Sequence, residues 1–208
     1  MNSRRLLSDP ADAAARVLVG TLFLALSWSL CRDFARTGRL TDLLLLIGEG
    51  LVVVLTLLRR HASVVDRRPL VRAVTIASMI TPFLLRPGPV GGGLLPETVN
   101  AAIAAVGLAI VVMGKLSLGY SFGLLPAHRG VVNAGAYRLV RHPIYLGYLL
   151  THIPFLFSHP TIWNTIVLVI GDSSLIARTF YEEQVLASDV TYQRYQEAVR
   201  WRLVPGLY

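Results

Sequence analysis

Between Gly135 and Tyr145 the chain reads Gly-Ala-Tyr-Arg-Leu-Val-Arg-His-Pro-Ile-Tyr, and beyond an apolar run it reads Arg178-Thr-Phe-Tyr-Glu182-Glu183. The first cluster offers guanidinium, imidazole and phenol groups; the second offers a guanidinium and two adjacent carboxylates. Carboxylates and aromatic faces bind organic cations, whereas guanidinium groups hold carboxylates bidentately. Polar groups concentrated at both ends of a membrane-length apolar segment are costly unless they face water or a bound ligand. The two clusters therefore point to a ligand site at a membrane surface.

The elements that must position them are apolar. Of 208 residues, 54% are hydrophobic and 15% charged, and the mean hydropathy is +0.57, which assigns an integral membrane protein rather than a soluble domain. A lone Cys31 excludes an intrachain disulfide framework and a multi-cysteine metal site, so no metal is expected; it reads as a small apolar filler near the end of the first span. The net charge of +8 would suit nucleic acid. The basic residues sit in short loops between apolar runs, however, where they orient a chain in the membrane, and no nucleic-acid partner is expected. Arg4 and Arg5 ahead of an apolar stretch imitate a signal peptide, but the run is long enough to span and no small-residue cleavage site follows cleanly, so it reads as a retained first helix. The C-terminus has no prenylation box.

Four runs have spanning character: Ala13–Cys31, Leu43–Leu58, Leu70–Leu85 and Thr98–Leu118. The second and third, at about 24 Å, are short against a hydrocarbon core of about 30 Å and need snorkelling flanks. The loop from Arg59-Arg60-His61 through Asp66-Arg67-Arg68 to Arg72 is the most basic of the chain and belongs in the cytoplasm, and the turn containing Pro87, Pro89, Gly91 to Gly93 and Pro96 belongs opposite. Counting crossings from there puts the N-terminus and the segment Gly119 to Pro143, with His128, Arg129, Arg138, Arg141 and His142, on the cytoplasmic side. The apolar stretch from Ile144 to about Ile176 is interrupted by Pro154 and by Ser158-His159-Pro160, and reads as a hairpin that returns the chain to the cytoplasm. From Arg178 onward, Tyr181, Val185, Ser188, Tyr192, Tyr195 and Val199 recur at three- and four-residue intervals. That spacing predicts one amphipathic helix of about twenty residues lying at the interface or capping the bundle, with Trp201 and Tyr208 as interfacial anchors. Residues 1–118 thus form an N-terminal set of four spans and residues 119–208 a C-terminal catalytic region.

Each polar residue also has a plain structural reading. Arg141 and His142 could simply flank a helix that Pro143 starts, Arg178 and Glu182 could be an ordinary ion pair one turn apart, and Tyr137 and Tyr145 could belong to an aromatic belt. Asp42 and Glu49 lie near the second span; Glu49 is deep enough to need a partner or a cavity, and Gly48 and Gly50 would permit close helix packing there.

The order and combination carry more than the single residues. Gly-x-Tyr-(x)3-Arg-His-Pro-x-Tyr, a hairpin, Arg-(x)3-Glu-Glu-(x)2-Leu, Tyr-(x)2-Tyr and a closing Pro resemble the isoprenylcysteine carboxyl methyltransferase family, one of a set of small integral-membrane methyltransferases that includes phospholipid N-methyltransferases. The resemblance covers Lys115 to Gly206, with Leu118-Gly119-Tyr120-Ser121-Phe122 ahead of His128-Arg129 as a lead-in. It departs at Ala136, where the family commonly has Pro, at Ser188 to Tyr192, and in the spacing of Arg200 to Pro205.

The apolar runs, the proline breaks and the spacing predict an all-α integral membrane fold: four transmembrane helices, a C-terminal helical hairpin and an amphipathic cytoplasmic closing helix. The resemblance implies S-adenosylmethionine as cofactor, without the glycine fingerprint of a doubly wound domain. Gly135, Tyr137, His142, Pro143 and Tyr145 would line the cofactor, and Glu182 and Glu183 would take its amino group or ribose hydroxyls. Arg141 would face the substrate, with Arg200 or Arg202 as its partner. The expected acceptor is a lipophilic small molecule or lipid, foremost a carboxylate such as that of a prenylated cysteine, for which no strong base is needed. An amine acceptor would need one, and Glu182, Glu183 or His142 are candidates. Phospholipid N-methylation and thiol S-methylation are the alternatives within the class; an NADPH-dependent sterol-type reductase and a non-enzymatic scaffold are the alternatives outside it. The expected place is the inner (plasma) membrane of a bacterium, among membrane lipids, with the site facing the cytoplasm and no obligate protein partner.

Overall fold

The computed structural model describes residues 63–86, 93–123 and 125–207, together with separate helical positions between Val17 and Ala35 and between Leu51 and Leu58. The chain forms two compact units, Met1–Arg59 and Arg60–Tyr208. The expected spans Ala13–Cys31 and Leu43–Leu58 fall on the first unit, where the described positions are helical; Asp42, Gly48, Glu49 and Gly50 lie outside the described residues. Cys31 is exposed rather than serving as a packed filler.

The second unit is mostly helical. Helix α1 (Pro69–Leu84) begins with Pro at its first turn, whose missing N–H would have had no partner there anyway. Helix α2 (Glu97–Leu118) ends at Gly119, whose φ of +50° is open to glycine at little cost and whose N–H bonds back to the Lys115 carbonyl. With the 3-10 turn Gly119–Ser121 it gives, over Thr98–Ser121, the one described helix long and apolar enough to cross a membrane; α1 is apolar but shorter. Helix α3 (Pro143–Ser158) again starts on a Pro. Helix α4 (Ile162–Leu186) follows after a three-residue turn, and the side chain of Thr161 caps it by accepting from the Asn164 N–H. The turn expected at His159-Pro160 is therefore where the sequence places it.

Beyond Arg178 the expectation fails in one respect. No new helix begins there: α4 runs unbroken to Leu186, a turn intervenes, and a nine-residue helix α5 (Val190–Ala198) follows. The apolar period continues through Ser188-Asp189, but Asp189 accepts from the Thr191 N–H and caps a fresh helix, which ends the previous one. Two-residue strands β1 (Val64–Val65) and β2 (Ala127–His128) pair antiparallel, Val64 opposite His128, and pin the 119–142 segment to the start of the unit.

Packing pairs the helices non-sequentially. Helix α3 lies along α2 and α4 along α1, while the two arms of the hairpin meet each other far less. Small residues explain both pairings. A Cβ on Gly147 would come within 2.6 Å of the Gly107 carbonyl oxygen and 2.8 Å of the Val111 nitrogen, so the α2 and α3 backbones touch. A Cβ on Gly171 would run into the Thr81 side chain across the α1–α4 contact. At the end remote from the polar clusters, fully buried Asn164 accepts from the Arg86 N–H at 3.0 Å and donates to the carbonyls of Arg86 and His159 at 2.9 Å each. The apolar core below the site is Val111, Ile144, Tyr145, Leu175 and Leu203. Outward faces remain apolar as well: Ile76, Ile80 and Phe83 on α1 and Ile166, Val169 and Ile170 on α4 are exposed.

Candidate functional site

The start of α3 and the last two turns of α4 come together beyond the apolar arms, and the chain end closes over them. Pro143 fixes the first turn of α3 and is buried, so His142 stands just ahead of the helix and Tyr145 lies on its first turn. On α4, Arg178, Glu182 and Glu183 are one turn apart and face them. The tail then pairs through its backbone: the N–H groups of Arg141 and His142 donate to the carbonyls of Trp201 and Arg202, both at 2.9 Å.

Glu183 is the electrostatic centre of this assembly. Its carboxylate accepts from Arg141 Nε at 2.8 Å, from Arg202 Nε at 3.1 Å and Nη2 at 2.7 Å, and from Gln196 at 3.4 Å, and it lies 3.1 Å from His142 Nε2. Burial raises this carboxyl, but hydrogen bonds from His142, Arg202 and Arg141 outweigh it and hold the group far below the usual carboxylate range. Arg141 is further tied through Nη1 to the carbonyls of Val199 and Arg200, at 2.9 and 2.6 Å. Arg202 also lies over the Phe180 ring, 4.2 Å from its centroid.

Glu182 differs from its neighbour. Its side chain is 23% exposed, against 8% for Glu183. It accepts from the Tyr145 hydroxyl and, at 3.4 Å, from Arg178 Nη2. His142 Nδ1 lies 3.6 Å away. The His142 and Tyr145 rings are stacked, 11° from parallel with centroids 5.7 Å apart, and Arg178 sits over the opposite partner of that stack, 5.1 Å from the Tyr145 centroid. Arg178 donates to Ser78 Oγ at 3.1 Å, which ties the site to α1.

The Gly135–Tyr137 turn forms the neighbouring wall. Gly135 has φ +56°, a region that favours glycine, and a Cβ there would push Ser117 Oγ aside. Tyr137 is buried with Tyr192, Tyr195 and Val199, and its carbonyl accepts from the Tyr195 hydroxyl at 2.7 Å. Burial pushes its own hydroxyl well above the usual phenol value, and the negative charge of Glu182 adds to the shift. Neither Tyr137 nor Tyr145 is a belt aromatic; both are buried.

Of the sequence-derived residues, Arg141, His142, Tyr145, Glu182, Glu183 and Arg202 form one network, with Gly135, Tyr137 and Pro143 framing it. Arg200 does not join: its side chain is exposed, and only its carbonyl enters the site. Arg178 and Gln196 belong to the network although sequence reasoning gave them no role of their own; the spacing of Arg178 four residues before Glu182 was the available signal for the first. A second polar link, His128 Nε2 to Asp189 Oδ2 at 2.6 Å, ties the β2 loop to the α5 cap. Among the described residues no cluster of three or more metal-ligating side chains occurs.

Chemically, Glu183 is fully committed to cations already present, whereas Glu182 keeps acceptor capacity and solvent access beside two aromatic rings. The arrangement can hold a compact organic cation at Glu182 with Glu183 keeping the frame rigid. No family model matches this chain, and no curated protein matches it significantly.

Proposed function

We propose that this chain is an integral-membrane methyltransferase that uses S-adenosylmethionine and acts on a lipophilic acceptor. The observation that carries the reading is Glu182: a partly exposed carboxylate beside the stacked His142 and Tyr145 rings, at the ends of two apolar arms. Carboxylate and aromatic faces are the donor set that a sulfonium and an ammonium group require. The pattern resemblance to the isoprenylcysteine carboxyl methyltransferase family supports the same reading.

In this reading Glu182, Tyr145 and His142 hold the cationic parts of the cofactor, and Gly135 and Tyr137 bring backbone close to it. Bound there, S-adenosylmethionine supplies an electrophilic methyl group. The protein contributes position and charge: Glu183 keeps Arg141 and Arg202 in place, and these cations, together with Arg178, balance anionic groups at the rim. Arg141 and Arg202 are the residues that would meet an anionic acceptor, and each must share its guanidinium with Glu183 to do so. The exposed apolar faces of α1 and α4 suit acyl chains, and α2 has the length of a span. Four spans ahead of the hairpin, with the basic loops and the site on the cytoplasmic side of the inner membrane, remain the topology that the charge distribution favours.

Calorimetric titration of the detergent-purified protein with S-adenosylhomocysteine tests the proposal. The expected result is micromolar binding that Glu182→Gln weakens by about 10- to 100-fold, the scale of one charge-assisted hydrogen bond. Absence of binding to the wild-type protein overturns it.

A further inference from the structure

Glu182 and His142 each offer one atom that their neighbours leave open, and the two atoms face each other. The oxygens of Glu182 are used unequally. Oε1 accepts from both the Tyr145 hydroxyl and Arg178 Nη2, whereas Oε2 takes no hydrogen bond among the described residues. Oε2 lies 3.6 Å from His142 Nδ1, beyond hydrogen-bond reach. The other nitrogen of that ring, Nε2, is 3.1 Å from Glu183 Oε1. Burial opposes a charge on Glu183, but hydrogen bonds from His142, Arg202 and Arg141 outweigh it and keep the group ionised. An ionised carboxylate only accepts, so the ring proton sits on Nε2.

The surroundings leave Nδ1 bare. Glu182 and Glu183 face the ring from α4, Tyr145 stacks on it from α3, and Arg141 and Arg202 reach Glu183 from either side. With Arg178 on Glu182, three guanidinium groups already meet two carboxylates, and a charged ring would add to an excess of cation. A protonated Nδ1 would also close on Oε2 to the about 2.7–2.9 Å of a charge-assisted bond. Two acceptors therefore stand across a gap that neither can bridge. Neither is one of the sealed, unsatisfied atoms of the interior, so both are reached from outside. Such a pair asks for one group that donates twice. A primary ammonium does so and matches the charge of Glu182; a sulfonium has no hydrogen to give. The surplus guanidinium charge suits the carboxylate that accompanies the ammonium in an α-amino acid.

We propose that His142 Nδ1 and Glu182 Oε2 form a paired acceptor that takes two N–H groups of one primary ammonium, with Glu183 holding the His142 tautomer that makes this possible. The inference rests on the methyltransferase reading and deepens it. Of the two cationic centres of S-adenosylmethionine, the amino group is held at Glu182 and the sulfonium is not. The bare nitrogen of His142 is then occupied by the cofactor, so this ring takes no proton from the methyl acceptor.

The test uses the detergent-purified full chain with isotope-labelled histidine and three ligands: S-adenosylhomocysteine, its analogue lacking the amino group, and S-adenosylmethionine. Without ligand and near neutral pH, His142, identified by its loss in His142→Gln, is expected to carry its proton on Nε2 with Nδ1 bare. The Nδ1 resonance should move on adding S-adenosylhomocysteine and stay still with the desamino analogue. By calorimetry, loss of the amino group should cost the wild-type protein about 10- to 100-fold in affinity, and about threefold or less in Glu182→Gln. S-adenosylmethionine and S-adenosylhomocysteine should weaken by the same factor, within about threefold, in Glu182→Gln. A proton on Nδ1, a resonance that the desamino analogue moves equally, or an amino group whose loss costs the wild-type protein nothing each overturns the inference alone. So does an amino-group penalty undiminished in Glu182→Gln, or a loss there at least about tenfold greater for S-adenosylmethionine than for S-adenosylhomocysteine, which would put the sulfonium at Glu182. The wild-type measurements decide the matter even where the variant does not fold. Failure of the wild-type protein to bind S-adenosylhomocysteine overturns the methyltransferase reading instead, and this inference with it.

Discussion

Exchanging one oxygen for nitrogen in each of two adjacent side chains should separate the frame of the site from its ligand contact. Glu183→Gln keeps the shape but removes the charge that Arg141, Arg202 and His142 face. Removing one member of a buried charge network costs about 3–5 kcal/mol. The lower end applies, because Arg202 is 18% exposed and Arg141 retains the carbonyls of Val199 and Arg200. About 3 kcal/mol corresponds to a melting temperature lower by about 6–12 °C for a chain of this size. In Glu182→Gln the Tyr145 hydroxyl still finds an amide oxygen and Arg178 still has Ser78, so the cost is about 1 kcal/mol or less. Binding should show the opposite ranking: Glu182→Gln loses about 10- to 100-fold in S-adenosylhomocysteine affinity, and Glu183→Gln loses less when titrated well below its melting temperature. Thermal unfolding in detergent and calorimetry on the same preparations supply both numbers. A Glu182→Gln protein that melts far below Glu183→Gln, or binds like the wild type, refutes the division of labour.

Other outcomes follow from the same geometry. The folded-state pKa of Glu183 lies below its unfolded value of about 4.5, so its contribution to stability is fully present above that value and is lost as pH falls through and below it. Unfolding temperatures measured from pH 7 to pH 3 should therefore hold until about pH 5 and then fall, less steeply in Glu183→Gln. Gly147→Val places side-chain atoms against the Gly107 carbonyl and the Val111 nitrogen, neither of which can retreat without moving a helix; monodisperse protein on size exclusion should drop sharply, the overpacking costing about 3 kcal/mol or more. Asn164→Ala strands the Arg86 N–H and the carbonyls of Arg86 and His159, and should cost about 2–4 kcal/mol in thermal unfolding, against about 1 kcal/mol for removing the Thr161 cap.

Local rules made much of this readable from the chain. Pro143 after His142 announces a helix start, and Ser158-His159-Pro160 announces a break, because proline supplies no N–H and restricts the residue before it. Charges are costly in an apolar interior and mostly gather at the arm ends, which foretold that Arg141, His142 and Tyr145 would meet Glu182 and Glu183. What could not be read depends on tertiary geometry. Arg200 and Arg202 are equivalent in type, and only the backbone bonds from Arg141 and His142 to the tail decide that Arg202 turns to Glu183 while Arg200 stays outside. The apolar period after Arg178 concealed the boundary at Asp189, since capping is a hydrogen-bond event that leaves the spacing unchanged. Two-residue strands are too short to show alternation. His152 and Asp172 stand twenty residues apart, a separation without a local signature, and they meet only because the turn at residues 159–161 folds one arm back toward the other.

The tail contact has a consequence for how the site can change. A one-residue slip of the segment after Val199 would bring Trp201 or Leu203 to the position Arg202 now holds, and neither can supply the charged double hydrogen bond that Glu183 receives there. The register of the segment after Val199 is therefore part of the site: the two backbone bonds that seat Trp201 and Arg202 against Arg141 and His142 are what brings a second guanidinium to the carboxylate.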